Sequence, residues 1–299
     1  MPPIILITGK NGQVGWELQR TLLPLGKIIV SDRQEMDLAD GDAIRKVVRR
    51  VKPDLIVNAA AYTAVDKAEN ERNLAMQVNG IAPSILAEEA GRLNSLLIHY
   101  STDYIFDGAK PVPYTEADTP KPINFYGESK LAGEQAIQAT AVDHLILRTS
   151  WVYGSRGGNF LLTMLKLMKE REELRIVADQ TGTPTWARLI AETTAQIVKQ
   201  TLNERSENTF QSGIYNLTSS GTTTWHGFAE KIKEIGGKRN GYSNFLKIKN
   251  IEMIATEGYP TPAARPLNSA LAIEKLERKY DLKMPEWDKA LELCMEELP

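Results

Sequence analysis

Five short apolar runs in the first half of the chain constrain the fold more than any other feature: IILIT (4–8), KIIVSD (27–32), LIVNAAA (55–61), LLIHYST (96–102) and HLILRTS (144–150). They are rich in branched side chains and too short for buried helices. Between them lie VGWELQRTLLPLG, DAIRKVVRRV, AMQVNGIAPSILAEEAGRLN and YGESKLAGEQAIQA, which carry helical periodicity. Strand alternating with helix implies βαβ units with right-handed crossovers. The expected fold class is α/β, a Rossmann-like doubly wound parallel sheet covered on both faces. After about residue 150 the rhythm loosens into the loops GSRGGN and DQTGTPTWAR, helices near 159–170 and 186–203, and a short strand at GIYNL. A capped helix at TTTWHGFAEKIKEI, a polar GGKRNGYSN turn and the Pro-rich GYPTPAARPLNSA follow. This region reads as a smaller mixed α/β C-terminal substrate lobe. Residues 1–150, with parts of about 184–218, are expected to form a dinucleotide-binding domain, and about 151–183 and 219–299 the substrate-binding lobe.

A chain of 299 residues, 42% hydrophobic and 25% charged, has the composition of a soluble globular protein with a sizeable core. Its net charge of -2 gives no reason to expect a nucleic-acid or membrane partner, which leaves small molecules as ligands. Cys294 is the only cysteine, so no intrachain disulfide forms and a reducing compartment fits. MPPIILITG reaches a glycine before its apolar run is long enough for a signal segment, and a cytoplasmic protein is expected.

The first strand runs into TGKNGQVG, where Gly9, Gly12 and Gly15 precede a helix. Glycines permit a tight turn and close approach of the backbone to a pyrophosphate, whose charge faces the positive helix end. The spacing departs from the commoner G-x-G-x-x-G. Asp32 ends the second strand about 20 residues later, where an acid can bond an adenosine ribose hydroxyl. The adjacent Arg33 can pair instead with a 2′-phosphate, so NADH and NADPH both stay open. Asp37 and Leu38 are adenine-contact candidates, or simply the approach to a helix cap. Ala59, Ala60 and Ala61 leave room for a flat cofactor at the carboxyl ends of the strands, or for tight helix packing.

Tyr126 precedes Lys130 by four residues, which places both on one helix face. With ten tyrosines in the chain such a match arises by chance about as often as not, so its position matters more than its spacing. Tyr126 lies where a helix should begin at the sheet's carboxyl edge, and LLIHYST delivers Ser101 and Thr102 to that edge. Proton transfer from a phenol near neutral pH needs about 4 kcal/mol of help, which an adjacent ammonium supplies. Tyr126, Lys130 and Thr102 are therefore the catalytic candidates for a carbonyl reduction without a metal. The three histidines, His99, His144 and His226, are scattered with no metal-ligand spacing.

Through TGKNGQVG, Asp32, NAAA, Thr102 and Tyr126-x-x-x-Lys130 the chain resembles the extended short-chain dehydrogenase/reductase superfamily. GQVGWELQ, VNAAAYTAVDKAE, HYSTDYIFDG, YGESKLAGE, LRTSWVYG and RPLNS together resemble, within it, the dTDP-4-dehydrorhamnose reductase family. That resemblance implies reduction of the C4 keto group of a dTDP-linked nucleotide sugar by NADPH or NADH. It places Gly12, Gln13 and Val14 at the pyrophosphate, Asp32, Asp37 and Leu38 at the adenosine, and Ala61, Tyr62 and Thr63 at the middle of the cofactor. Tyr100 and Lys130 join the cofactor set, with Lys130 at the ribose. Thr102 is assigned to lowering the tyrosine's pKa, and Thr102, Asp103, Tyr126 and Trp151 to lining the sugar pocket. Trp151 can equally pack between lobes. Arg265 can fork onto the substrate diphosphate or lie on the surface. The acidic pair that related 4,6-dehydratases carry after the threonine is incomplete, because Tyr104 follows Asp103. Another nucleotide-sugar reductase or epimerase and a non-catalytic NADP-binding regulatory subunit are the alternatives. Some family members hold Mg2+ at a dimer contact; no carboxylate cluster in the sequence marks one, and monomer and homodimer both remain open.

Overall fold

The computed structural model describes residues 2–238 and 246–298. Strands β1 (Ile4–Thr8), β2 (Lys27–Ser31), β3 (Leu55–Asn58), β4 (Leu96–Thr102), β5 (His144–Thr149) and β7 (Gly213–Asn216) form one sheet in the order β7-β5-β4-β3-β1-β2, parallel throughout. Strand β6 (Glu173–Val177) lies outside it and pairs in parallel with β8 (Asn250–Ile254). The helices used below are α1 (Gln13–Thr21), α2 (Gly41–Val51), α3 (Ala82–Leu93), α4 (Phe125–Gln138), α5 (Phe160–Glu170), α6 (Ala187–Ser206), α7 (Trp225–Lys238), α8 (Glu274–Tyr280) and α9 (Trp287–Glu296).

Side chains of a strand alternate between faces, and β1 displays this directly. Ile5 and Ile7 pack with Leu18 of α1 and Ile190 and Ile197 of α6. Leu6 packs on the other face with Ile44 and Val48 of α2 and Leu86 of α3. A sheet sandwiched in this way has water at neither face, which explains why its strands read as nearly unbroken apolar runs. The runs end in polar residues: Thr8, Ser31, Asn58, Thr102, Thr149 and Asn216 are the last residues of their strands. Hydroxyls, amides and open backbone groups therefore collect along one edge, where doubly wound sheets bind ligands.

The second core gathers Leu161, Met164 and Met168 of α5, Phe228 and Ile232 of α7, and Leu291 and Met295 of α9. Asn159 caps α5 by accepting from the Leu162 amide at 3.0 Å, and Thr224 caps α7 by accepting from Gly227 N at 3.0 Å. The pair β6–β8 and the helices α8 and α9 have no counterpart in the expectations above. Their strands are half exposed, so ELRIV and NIEMI carry a weak period-2 signal. The LIVNAAA run stops being strand at Asn58, and its alanines line the edge as coil. Residues 239–244 of the expected polar turn lie outside the described residues.

Candidate active site

A cleft of about 960 Å3 opens along the carboxyl edge. Gly9, Gly12, Gln13, Val14, Asp32, Arg33, Asp37, Leu38, Ala59, Ala60, Ala61, Tyr62, Thr63, Tyr100, Tyr126 and Lys130 all line it. Gly9 has a φ of +71°, and a Cβ on Gly15 would stand 2.1 Å from the Gly9 carbonyl oxygen. Helix α1 therefore starts flush against the turn, a close approach that only glycine permits. Its N-cap, Gly12, brings no side chain to the first amides, which leaves them available to an anion. The lobe closes this corner: Asn159 Nδ2 donates to Gln13 Oε1 at 2.9 Å, and Gly157 and Gly158 line the cleft beside it.

At the far end Asp32 accepts from the Gln34 amide at 2.9 Å, from Asn11 Nδ2 at 3.2 Å, and pairs with Lys10 at 3.2 Å. The Lys10 hydrogen bond holds its carboxyl below the usual range despite some desolvation. Lys10 and Asn11 sit inside the glycine turn, and their reach to Asp32 across the turn leaves no spacing signal in the sequence. Arg33 is paired with Asp37 at 3.2 Å and is largely exposed, so its guanidinium is only loosely committed. Leu38 is mostly buried in the core under α2, and its contribution to the cleft is a small apolar patch. Tyr100 likewise turns inward, its hydroxyl 2.6 Å from Thr194 Oγ1.

The loop after β3 is held by Asn79, whose carboxamide accepts from the Tyr62 amide at 2.8 Å and donates to the Tyr62 carbonyl at 3.0 Å and to Ser129 Oγ at 3.0 Å. Asn79 sits in a π-helical segment, Gln77–Ile81, a local widening that often marks function. No periodicity announced it.

Helix α4 is positioned by Asn124, which caps Gly127 N at 2.8 Å and donates to the Ala264 carbonyl at 2.8 Å. A Cβ at Gly127 would fall 2.1 Å from the Tyr104 carbonyl. The helix start is thus pressed onto the Asp103–Ile105 turn, and Tyr126 comes beside Thr102. Burial pushes that phenol up to about 12, the Thr102 hydroxyl pulls it down, and the Asp103 charge pushes it up again. The expectation that Lys130 holds this phenol's pKa down therefore needs correcting. The Lys130 ammonium is buried under the cleft, where it donates to the Tyr100 carbonyl at 2.6 Å and lies 3.3 Å from His99 Nε2. Burial pushes the ammonium itself down to about 8, with Glu134 opposing.

Thr102 Oγ1 donates to Asp103 Oδ1 at 3.0 Å and accepts from the Tyr104 amide at 3.2 Å. Ser150 donates to the other Asp103 oxygen at 3.1 Å. Burial pushes Asp103 up to about 6, against the hydroxyls of Ser269, Thr102 and Ser150. The folded protein thus keeps a proton that the unfolded chain releases between about pH 4 and 6. This group's contribution to stability is present below that window and lost as pH rises through it, by about 1 to 3 kcal/mol. Urea midpoints measured across the window should show this fall, and Asp103→Asn should remove it.

Thr102, Asp103, Trp151 and Arg265 stand outside the lining of the cofactor cleft. Trp151, with φ of +45°, stacks on Trp225 at 3.5 Å between ring centroids and 4° between planes. Trp225, which sequence reasoning missed, is fixed by a 3.2 Å hydrogen bond to Gln180. Arg265 is not free: it donates to Asp66 at 2.9 Å and to the Ala263 carbonyl at 3.0 Å, strapping the Pro-rich segment over the loop after β3.

Residues 3–299 match the family described as RmlD substrate binding domain. The chain belongs to that family. It is 49% identical over 294 residues to a dTDP-4-dehydrorhamnose reductase of Burkholderia thailandensis, covering 98% of both chains. It is 44% identical to the Escherichia coli K12 protein of the same description, over 98% of this chain and 97% of that one. Among solved structures, a dTDP-4-dehydrorhamnose reductase from Bacillus anthracis in complex with NADP superposes with a TM-score of 0.86 at 36% identity, covering 99% of this chain and 100% of that one. A Thermus thermophilus UDP-glucose 4-epimerase complex with NAD, at 19% identity and a TM-score of 0.77 over 98% of each chain, shares the fold. Among the described residues no group of three or more His, Cys, Asp and Glu side chains is placed to hold a metal ion, and no helix is long and apolar enough to cross a membrane.

Proposed function

We propose that this member of the RmlD family reduces the C4 keto group of dTDP-4-dehydro-L-rhamnose to dTDP-L-rhamnose with NADPH or NADH. The observation that carries the reading is the placement of the Tyr126 phenol beside Thr102, with Lys130 buried one helical turn away, at the mouth of a cleft built for a dinucleotide. The full-length likeness to reductases of that description supports the choice of sugar. The turn fits the cofactor: a side chain at Gly15 would drive α1 away, and Gly12 leaves the helix amides bare.

The glycine turn and the cleft beside it would hold a dihydronicotinamide cofactor, which would supply the hydride for C4. Tyr126 holds a proton on its phenolic oxygen and gives it to the C4 oxygen, so a raised pKa keeps the donor loaded. Thr102 fixes the phenol's direction, and Asp103 fixes Thr102. Lys130, its ammonium held at the cleft floor by the Tyr100 carbonyl, faces the ribose. Trp151, braced by Trp225, offers the sugar a flat wall, and Arg265 meets the diphosphate by exchanging Asp66 for phosphate. In this reading residues 1–150 and parts of about 184–218 hold the cofactor, while about 151–183 and 219–299 enclose the sugar. The chemistry asks for no Mg2+ and no second copy of the chain, and it fits the cytoplasm.

Purified protein given dTDP-4-dehydro-L-rhamnose should consume NADPH or NADH and yield the C4 alcohol. Cofactor binding without turnover on that sugar would sink the assignment. Because Lys10 is the cation at Asp32, Lys10→Ala should raise the KM for NADPH about tenfold and that for NADH much less. Steady-state kinetics with both cofactors measure the difference.

A further inference from the structure

Under the proposed catalytic lysine, a row of buried polar side chains crosses three adjacent strands. Thr8 and Asn58 are register partners, as are Asn58 and His99, and each of the three is 1% exposed. The Ala60 amide donates to Thr8 Oγ1 at 3.0 Å, and the Thr8 hydroxyl donates to Asn58 Oδ1 at 2.7 Å. Asn58 Nδ2 lies 2.9 Å from His99 Nδ1, and His99 Nε2 lies 3.3 Å from Lys130 Nζ. Strands this deep are otherwise apolar, and polar groups there are costly unless paired. Neither hydride nor proton transfer as described above uses Asn58 or His99.

A neutral imidazole carries one N–H, so one nitrogen donates and the other accepts. Burial, and then the Lys130 charge, keep His99 neutral. With Asn58 donating to Nδ1, the ring hydrogen sits on Nε2 and meets the lone pair of an uncharged Lys130 amine. Turning the Asn58 carboxamide over reverses the row: the ammonium donates to Nε2, Nδ1–H donates to the Asn58 oxygen, and the Asn58 amide donates to Thr8 Oγ1. The Asn58–His99–Lys130 hydrogen bonds are complete in either direction. In both, His99 and the Tyr100 carbonyl occupy two directions at Nζ, and the remaining hydrogen is left for the cleft.

We propose that His99 is the positioning residue for Lys130, and that the Asn58–His99 pair lets this lysine change charge while the hydrogen bonds joining Asn58, His99 and Lys130 all stay made. The proposal rests on the reading of Lys130 as the partner of Tyr126. The charged and titratable groups that act on Lys130 are His99 and, on its own helix, Glu134, which is itself paired with Arg148 of β5. Of these Glu134 acts on Lys130 most directly, and the lysine titrates at about 8.

The test starts without the reaction. The whole protein, labelled with 15N at its three histidines, is followed by NMR from about pH 6 to 10, spanning the Lys130 titration. His99 is assigned by comparison with His144→Gln and His226→Gln. Its proton should move from Nδ1 to Nε2 as Lys130 loses charge. A tautomer that stays the same throughout overturns the proposal, whether or not the protein reduces any sugar. Kinetics add a second arm. His99→Leu should lower kcat about tenfold to a hundredfold and move the basic limb of the pH–rate profile by about one pH unit. His99→Gln, which can both donate and accept, should restore most of both. A folded His99→Leu protein with wild-type kcat and pH profile overturns the assignment; if that variant does not fold, the tautomer measurement decides alone.

Discussion

Tyr126→Phe should retain cofactor affinity and lose turnover by about 10² to 10⁴-fold, the range that follows removal of a general acid. The ring of Tyr126 packs edge-on against Tyr104, with centroids 5.8 Å apart, and phenylalanine keeps that contact. What disappears is the proton that burial holds on the phenol at about 12. Because loss of the hydroxyl acts on the chemical step, kcat and kcat/KM should fall together, while the dissociation constant for NADPH measured by fluorescence titration stays within about threefold. Turnover within tenfold of the parent would remove Tyr126 from the role of donor. A large rise in the cofactor dissociation constant would instead mean that the hydroxyl helps to hold the cofactor.

The sheet was legible because its burial on both faces writes an almost uninterrupted apolar code, and IILIT and LLIHYST come out as strands at the expected residues. The cofactor edge was legible because Gly9 and Gly15 mark a positive φ and a backbone contact that favour glycine, whereas the equally tight Gly127 went unmarked. Side-chain networks leave no such period. Asn79 and Lys10 act through hydrogen bonds made across 17 to 50 residues of sequence, and His99 looked like one scattered histidine until register placed it beside Asn58. The error about Lys130 has the same origin. Helical spacing correctly puts it on the face of Tyr126, but the 2.6 Å bond to the Tyr100 carbonyl, which directs its ammonium to the cleft floor, depends on tertiary packing. The substrate candidates were hardest to judge, since Trp151 and Arg265 each meet a partner from a distant segment, Trp225 and Asp66.

Glu134→Ala should destabilise the fold by about 3 to 5 kcal/mol, because it leaves a buried guanidinium without its counter-charge. Arg148 grips Glu134 with two hydrogen bonds, of 3.0 Å from Nε and 2.7 Å from Nη2, and both side chains are at most 2% exposed. Arg148 Nη1 already lacks a hydrogen-bond partner, so nothing nearby can take over the charge. For a chain of this length such a loss corresponds to a fall in Tm of about 5 to 8 °C, measurable by thermal melts of the whole protein. The pair links β5 to α4, the helix that carries Tyr126 and Lys130, so its worth is not only energetic. Replacing both partners, as in Glu134→Leu with Arg148→Leu, should restore most of the stability, since apolar side chains of similar reach suit this interior. The double variant still lacks the Glu134 charge that opposes the effect of burial on Lys130. Lys130 should therefore lose its proton at lower pH than in the parent, moving the basic limb of the pH–rate profile downward even where the melting temperature has recovered. A recovered melt with an unmoved limb would show that Glu134 serves the fold alone.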